Sequence, residues 1–299
     1  MSLLSTPTGR PERVFSLLSL VRAMDGRISS AEAKEWLAPD YRSAEVPAPT
    51  PRDPAKDGER VSEVFRVARD LNLLAADKRD WVATCDLPAT LRSFASHVHA
   101  HLCGLSPEAP DTVLLRAYGW CVAYCEAHGV SGLAGLTASA LAREIAAGLG
   151  RSDEGEDEKS FNTTKFSAWK DWMGFLGLGW LDLPGVSGFL LDPARRLEEE
   201  FLTLLPAQGR LDASTFLALM AQKFPYLDGG TNFEAACATG LQHPPTGQLS
   251  RILSQALRAL EDRGQVRLDM DGDAKKGIGL FPDALSRINA FSHIGVNHV

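Results

Sequence analysis

The stretch PERVFSLLSLVRAMDGRISSAEA, residues 11–33, decides the plan of the chain. It opens with a proline, which suits the first position of a helix. Apolar side chains then recur at the spacing of one helical face, at Val14, Leu17, Leu18 and Val21. Gly26 is placed to end that helix, and the Arg-Ile step after it fits a very short strand. Ser29 and Glu32 have the spacing of a capping box that begins a second helix.

The same plan returns near the other end of the chain, where residues 193–215 read PARRLEEEFLTLLPAQGRLDAST. This copy also starts with a proline, carries an apolar helical stripe and reaches a Gly-Arg-aliphatic step. Asp212 follows that step as the capping residue, in the position that Ser29 holds in the first copy. Self-similarity of this kind indicates a chain built from copies of one small module.

A third helix and a hairpin complete the first copy. After a proline-rich surface connection over residues 39–58, a helix is predicted to begin near Glu59. Its buried face is predicted to hold Val61, Val64, Phe65, Ala68 and Leu71. A turn over residues 75–80 and a β-prone run over residues 81–85 follow. Helix, strand, helix, helix, strand, turn, strand is the order of a winged helix-turn-helix, whose third helix faces the DNA major groove.

The second copy is predicted to follow the same order. A loop rich in proline and glycine over residues 225–245 precedes a third helix, which runs over residues 249–260 and ends at Gly264. Residues 266–270 and 278–281 then form a two-stranded wing around a polar turn.

Between the two copies the pattern predicts helices over residues 88–103, 111–127, 137–149 and 162–176. Asp111 is expected to cap the second of these helices, and Gly129 to end it. A hairpin with strands over residues 180–183 and 186–191 follows the last helix, which indicates a third, degenerate module.

The predicted fold is therefore mainly α with small β-hairpins, of the α+β class. It consists of tandem winged helix-turn-helix modules, two clear and one degenerate. We expect an N-terminal winged-helix domain over residues 1–87 and a helical middle domain with the degenerate unit over residues 88–192. A C-terminal winged-helix domain follows over residues 193–299.

Composition favours a globular protein of the cytoplasm. The 299 residues are 44% hydrophobic, which is enough for two or three cores without disulfide staples. No apolar run approaches the length of a membrane span, and the first ten residues lack the blocks of a signal peptide. Five cysteines without paired short spacings indicate reduced thiols. The net charge of −7 argues against a protein that coats nucleic acid through bulk positive charge.

Two groups of histidines and cysteines raise the question of a metal site. One group alternates along a predicted helix: His97, His99, His101 and Cys103. Alternate helical positions point about 200° apart, so these side chains do not converge on one ion. The other group shares one helical face: Cys121, Cys125 and His128. Free cysteine packs as a small hydrophobe, so we interpret this face as core and predict neither metal nor cofactor.

Motifs of catalysis are missing from the sequence. It has no Walker glycine loop, no Gly-x-Ser-x-Gly elbow, no HExxH helix and no dinucleotide fingerprint after a strand. The glycines over residues 174–179 follow a helix rather than a strand and are interpreted as a helix end. Asp269, Asp271 and Asp273 start like a calcium loop but lack its twelfth-position glutamate, so a solvated turn is expected. We predict that the chain is not an enzyme.

The outward faces of the two clear third helices and the tips of their wings carry the residue types that bind DNA. The predicted nucleic-acid-binding residues are Ser62, Arg66, Arg69, Lys78 and Arg79 in the first copy and Arg251, Gln255, Arg258, Lys275 and Lys276 in the second. Arginine and glutamine read guanine and adenine edges, while wing lysines contact phosphate. Acidic neighbours such as Glu63, Asp70 and Glu261 leave each patch nearly neutral, which also suits a winged helix that binds protein.

The opening MSLLSTPTGRPERVFSLLSLV, residues 1–21, resembles the start of the DpdG proteins, and the overall length is similar. DpdG proteins are accessory members of bacterial clusters that insert 7-deazaguanine derivatives into DNA and restrict unmodified DNA. The resemblance implies a part in anti-phage restriction or modification, and it supplies no catalytic motif.

These observations favour a non-enzymatic DNA-recognition or adaptor subunit of a bacterial DNA modification and restriction system. Its expected partners are double-stranded DNA and other subunits of a defence complex, with no membrane contact. The alternative is a scaffold whose winged helices bind protein through the aromatic middle region. A transcription regulator fits less well, because no ligand domain or dimerisation helix is evident.

Overall fold

The computed structural model describes residues 3–5, 9–37, 54–150, 161–180, 189–205, 209–271, 277–284, 286 and 288–296. This part of the chain is mainly helical with small antiparallel sheets, which confirms the predicted α+β class. The contacts between residues divide the chain into two compact units, residues 1–101 and residues 102–299. The finer division into three domains stays a prediction.

The first unit pairs three helices with a three-stranded antiparallel sheet. After a short 3-10 turn at Leu3–Ser5, its elements are α1 (Pro11–Ala23), β1 (Arg27–Ser29), α2 (Ser30–Leu37), α3 (Pro54–Asp70), β2 (Leu74–Asp77) and β3 (Asp80–Ala83). The helix α4 (Leu91–Cys103) follows. The strand order is β1-β3-β2, so the short strand of the Gly-Arg-aliphatic step pairs with the second strand of the hairpin.

The opening stretch folds as its sequence predicts. The helix α1 begins at Pro11, and its apolar stripe, Val14, Leu17, Leu18 and Val21, is fully buried. Gly26 has a φ of 82° and its amide donates to the Val21 carbonyl at 2.9 Å, which ends the helix without a steric penalty. The Ser29 hydroxyl accepts from the Glu32 amide at 3.1 Å, the first half of a capping box.

Two details of the first unit differ from the prediction. The helix α3 begins at Pro54 rather than near Glu59, because a proline is well suited to the first helical turn as well as to an extended connection. The hairpin turn is also tighter than the predicted 75–80, since Ala75 and Ala76 already pair with β3 and only Lys78 and Arg79 connect the strands. Residues 38–53 of the proline-rich connection lie outside the described residues.

The second unit contains seven further helices and seven strands among its described residues. They are α5 (Thr112–Ala134), α6 (Ala138–Gly148), α7 (Thr163–Phe175), β4 (Gly179–Trp180), β5 (Leu190–Leu191), α8 (Ala194–Leu204), β6 (Arg210–Asp212), α9 (Ala213–Lys223), α10 (Thr231–Cys237), α11 (Arg251–Asp262), β7 (Val266–Asp269), β8 (Ile278–Gly279), β9 (Ala290–Phe291) and β10 (His293–Val296). The sheets are β6-β10-β7, β4-β5 and β8-β9, all antiparallel.

The predicted hairpin between residues 266–270 and 278–281 is wrong. The strand β7 pairs with β10, with Leu268 opposite Ile294, and β8 pairs instead with β9. The resulting order, β6-β10-β7, is the order β1-β3-β2 of the first unit with residues 270–292 inserted before the last strand. The repeat predicted from the Gly-Arg-aliphatic step therefore extends to the topology of the sheets.

Helix boundaries in the second unit correct the prediction at two points and confirm it at one. The helix α5 breaks at Gly129 as predicted, because the φ of 75° and ψ of 162° there are not helical, and helical residues then resume as far as Ala134. The Asp111 side chain makes no capping bond to α5, although the residue stands at the N-cap position. The short helix α10 lies within the loop predicted at residues 225–245, because the flanking glycines and prolines are typical of a loop.

Three helices end in the same way. A residue with positive φ follows α3, α7 and α11: Asn72 at 58°, Gly177 at 74° and Gly264 at 69°. In each case the next amide bonds back to a helix carbonyl, as Leu73 does to Ala68 and Gln265 does to Leu260. A strand then starts at once, so α7 with β4 and β5 repeats the end of the other two copies. Residues 181–188, between β4 and β5, lie outside the described part of the chain.

Candidate nucleic-acid interface

The helix α3 separates an apolar face from a polar one. Val61, Val64, Phe65, Ala68 and Leu71 are buried as predicted, at 7% exposure or less. On the opposite side Ser62 and Arg69 are exposed, and Arg66 is half-buried. The Arg69 guanidinium bonds to Asp70 at 2.8 Å, so part of its charge is balanced by a neighbour.

The β2–β3 hairpin places two cations at its tip. Lys78 and Arg79 form the two-residue connection and are both exposed, and Lys78 has a φ of 58°. Below the tip, the Arg27 guanidinium of β1 donates to Asp77 at 2.7 Å and to Asp80 at 3.1 Å. These side-chain bonds, to Asp77 first, raise the pKa of Arg27. The two aspartates are thereby occupied within the sheet, which leaves the tip itself basic.

A tryptophan couples the hairpin to α3. The Trp81 ring of β3 stacks on Phe65 of α3 with centroids 4.7 Å apart and planes 17° apart. Its indole Nε1 also donates to the Ser30 hydroxyl at 3.0 Å, at the start of α2. Because stacking and hydrogen bond act on one side chain, the basic tip is held in a defined position relative to the helix face.

The charge of the chain is unevenly divided between the two units. Residues 1–101 carry 14 basic and 14 acidic side chains, so the whole net charge of −7 belongs to residues 102–299. A polyanion is repelled less by a neutral unit than by an acidic one. Electrostatics therefore favours the first unit over the second as the partner of a nucleic acid.

The predicted residues of the second copy are placed differently. Gln255 is exposed on α11, but Arg258 is only 7% exposed. The Arg258 guanidinium donates to the Phe281 carbonyl at 2.8 Å and to the Ile288 carbonyl at 3.0 Å. The Arg251 guanidinium lies 3.8 Å from the centre of the Phe281 ring. Lys275 and Lys276 lie outside the described residues.

Two carboxylates that sequence reasoning missed meet the N-terminus of α11. Asp228 accepts from both the amide and the hydroxyl of the N-cap Ser250, at 2.6 Å each. Glu126 of α5 accepts from the amide of Arg251 at 3.0 Å. Burial raises the pKa of Asp228, against the lowering effect of the Ser250 bonds. Two of the amides that an approaching phosphate would use at this helix end, those of Ser250 and Arg251, are already bonded to carboxylates, and the Leu253 amide donates to the Ser250 hydroxyl.

The candidate metal ligands occupy separate environments. The His97 ring nitrogen lies 3.2 Å from the Leu71 carbonyl, and His99 is buried at 1% exposure. Cys121 and Cys125 are completely buried, and burial raises the pKa of both thiols, to about 12 for Cys125. Among the residues that the structure describes, no three His, Cys, Asp or Glu side chains are grouped to hold a metal ion.

The remaining candidates from the sequence are the glycines of residues 174–179 and the aspartates of the predicted calcium-like turn. Gly177 ends α7 and Gly179 lies in β4, in agreement with the helix-end interpretation. Asp271 bonds to Arg210 at 2.8 Å, which parallels the bond from Arg27 to the hairpin aspartates of the first unit. Asp273 lies outside the described residues.

An open cleft of about 400 Å³ in the second unit is a weaker candidate for a binding or catalytic site. Its polar lining includes Asp228, whose two oxygens bond to Ser250, and Glu234, which lies 3.8 Å from His243. The other walls are mostly apolar, from α9, Phe233, Pro244 and Pro245. The hairpin and helix of the first unit therefore remain the best-defined candidate site.

None of the helices in the described ranges has the length and hydropathy needed to cross a membrane.

Comparisons with known proteins identify the family. No curated protein and no solved structure matches the chain. The model of the DpdG-like family matches residues 1–274, which is most of the sequence. The chain therefore belongs to the DpdG-like family, which links it to the Dpd system of 7-deazaguanine modification.

Proposed function

We propose that the protein is a non-enzymatic DNA-recognition or adaptor component of the Dpd system and that its first unit contacts duplex DNA. Membership of the DpdG-like family supports the link to DNA modification. A winged helix-turn-helix interpretation of the first unit is supported by the order of α1, β1, α2, α3, β2 and β3 and by the sheet order β1-β3-β2. In this interpretation α3 enters the major groove and the β2–β3 hairpin is the wing.

One observation carries the proposal: the basic hairpin tip is fixed by Trp81 against the helix that exposes Ser62 and Arg69 and half-exposes Arg66. Arginines on the helix would reach base edges, and Lys78 with Arg79 would contact phosphates. A rigid pair of such surfaces binds DNA at low entropic cost, because neither element has to be ordered on binding.

Fluorescence anisotropy with a labelled duplex at low salt tests this contact. We expect Arg66→Ala with Arg69→Ala, and separately Lys78→Ala with Arg79→Ala, to weaken binding about tenfold or more each. The matched control is Arg143→Ala with Arg267→Ala, which removes two exposed arginines of the second unit and should change affinity less than about twofold. Equal losses in all three variants, or no binding by the wild type, would contradict the proposal.

The second unit supports a separate candidate function, as the adaptor surface for other Dpd subunits. It carries the whole net charge of −7, which favours a basic protein partner over DNA. Affinity purification of the tagged protein from its native host, followed by mass spectrometry, should recover Dpd subunits, and raising the salt should release them. A partner-free protein under the same conditions would exclude the adaptor role.

A further inference from the structure

The open cleft of the second unit, called here the α9–α10 cleft, lies among three pieces of chain. Residues of α9 form one wall and residues of α10 form another. Residues 243–249 form the third wall, with Ile278 of β8 also lining the cleft. The volume of about 400 Å³ falls within the range of pockets that hold a ligand or an inserted side chain.

The walls of the α9–α10 cleft offer apolar surface and room. Ala218 of α9 is exposed and Ala221 is half-buried, so the small side chains of this helix leave space that larger ones would fill. Phe233 of α10, together with Pro244 and Pro245, adds apolar surface. An apolar side chain inserted here would leave water, which favours its binding.

The third wall is held in place by backbone hydrogen bonds. The Gly279 amide donates to the Gly247 carbonyl, and the Leu249 amide donates to the Gly279 carbonyl, at 2.8 Å each. The Gln248 amide donates to the Pro245 carbonyl at 2.9 Å. Because this wall is already ordered, a ligand does not have to fix a loop when it binds.

Two carboxylates line the α9–α10 cleft. Asp228 accepts from the amide and the hydroxyl of Ser250, and these neutral donors do not cancel its charge. Glu234 lies 3.8 Å from His243, which balances the glutamate only where the imidazole is protonated. Among the lining residues that the structure describes, none is a lysine or an arginine. A cation next to an apolar side chain therefore complements the cleft.

We infer that the α9–α10 cleft is the surface on which the second unit docks a basic protein partner. It takes an apolar side chain that stands next to a lysine or arginine in a segment of another Dpd subunit. The inference rests on the adaptor role under the proposed function and assigns that role to one surface. The apolar side chain lies beside Ala218, and the cation faces Glu234 and Asp228. Since the whole net charge of −7 belongs to this unit, electrostatic attraction guides a basic segment towards it.

A peptide array tests the chemistry of the occupant. Overlapping short peptides from the other proteins of the Dpd system are probed with the labelled full-length protein. We expect the bound peptides to place a lysine or arginine next to a large apolar residue. Bound peptides that are acidic, or that carry no apolar residue, would overturn the inference, and so would the absence of any bound peptide.

Variants of the full-length protein locate the binding by fluorescence anisotropy with a labelled peptide from the array. Ala218→Trp fills the cleft and should weaken binding about tenfold or more, and Glu234→Lys should weaken it about fivefold or more. The matched controls Ala147→Trp and Glu108→Lys, at exposed positions outside the cleft, should change affinity less than about twofold. Binding that survives both Ala218→Trp and Glu234→Lys would overturn the inference.

Affinity purification from the native host separates this inference from the adaptor role itself. Loss of Dpd subunits from the Ala218→Trp protein, but not from Ala147→Trp, would support both. If the subunits still co-purify with Ala218→Trp and with Glu234→Lys, the adaptor role stands and the cleft is not its surface. If peptides bind through the cleft while no subunit co-purifies with the wild type, the adaptor role fails and the binding chemistry of the cleft stands.

Discussion

Individual arginines in this chain differ in role because of what packs against them. Arg66 and Arg258 each stand six residues before the positive-φ residue that ends their helix. Arg66 is half-buried on a polar face, whereas Arg258 bonds to two backbone carbonyls. Helical periodicity places both on the outward face of an isolated module. What a module packs against depends on distant parts of the chain, so periodicity does not reveal what each arginine contacts.

The most deeply buried arginine gives a prediction about stability. Arg196 of α8 is 1% exposed, pairs with Glu199 at 2.8 Å and donates through Nε to the Leu176 carbonyl at 2.7 Å. Arg196→Ala removes the buried cation that Glu199 and Glu200 share and leaves the Leu176 carbonyl without its donor, although Arg195 and Lys223 still pair with the two carboxylates. We therefore expect a loss of about 2–4 kcal/mol in the free energy of unfolding. Urea denaturation measures it. Arg143→Ala, which removes a 77% exposed arginine, should cost under about 1 kcal/mol, and equal losses would contradict the argument.

The cysteines give a prediction about reactivity. Burial raises the pKa of the Cys121 and Cys125 thiols, whereas Cys85 is exposed. Because the thiolate is the reactive form, iodoacetamide at mildly alkaline pH should modify Cys85 first and reach Cys121 and Cys125 only after denaturation. Peptide mass spectrometry over a time course checks this order. Native-state labelling of Cys121 as fast as that of Cys85 would show that α5 is not packed as described.

At the scale of elements, the similar ends of α3 and α11 predict that substitutions at Asn72 and Gly264 affect stability differently. Gly264 has a φ of 69° and open space around it, so Gly264→Ala adds conformational strain without a clash and should cost about 1–2 kcal/mol. Asn72 holds the same place after α3 with a φ of 58°, and Asn72→Gly should change stability by less than about 0.5 kcal/mol. Chemical denaturation of both variants checks the pair. A harmless Gly264→Ala would show that the αL end is not needed.

Local signals predicted the elements better than their pairing. The first helix, the Gly-Arg-aliphatic strand and the helix ends at Gly177 and Gly264 depend on neighbours within a few residues, and the sequence predicted them. The partner of β7 cannot, because two apolar runs, residues 278–281 and 293–296, both have strand character and pairing is decided by the packed core. The nearer run was predicted, and the chain uses the farther one.

The candidate site was predictable to the same extent. Lys78 and Arg79 stand at a hairpin tip, as their position between β-prone runs predicts, although the turn is shorter. The hydrogen bonds from Arg258 of α11 were not predictable, since they depend on an insertion whose residues contact the helix through backbone groups of Phe281 and Ile288. Backbone acceptors carry no signature in the side-chain sequence.

At the scale of the whole molecule, the charge is divided unevenly between the two units. The unit that contains α3 and the hairpin is neutral, while the unit that contains α11 carries the net charge of −7. Under the proposed function, an acidic second unit would disfavour DNA, so binding would depend on the few cations of α3 and the hairpin. Weak non-specific binding of DNA is therefore the expected outcome.

The number of cations sets the expected salt dependence. Each phosphate contact adds about −0.9 to the slope of log K against log salt, so the proposed contacts of Lys78 and Arg79 give a slope of about −2. Counting Arg66 and Arg69 as well limits the slope to about −4. Lys78→Ala with Arg79→Ala should make it shallower by about 2. The control Arg143→Ala with Arg267→Ala should leave the slope unchanged, because those arginines lie in the acidic unit. Anisotropy titrations over a salt series give all three slopes. A wild-type slope of about −8 or steeper would require phosphate contacts beyond one helix and one hairpin, and would refute DNA reading by a single module.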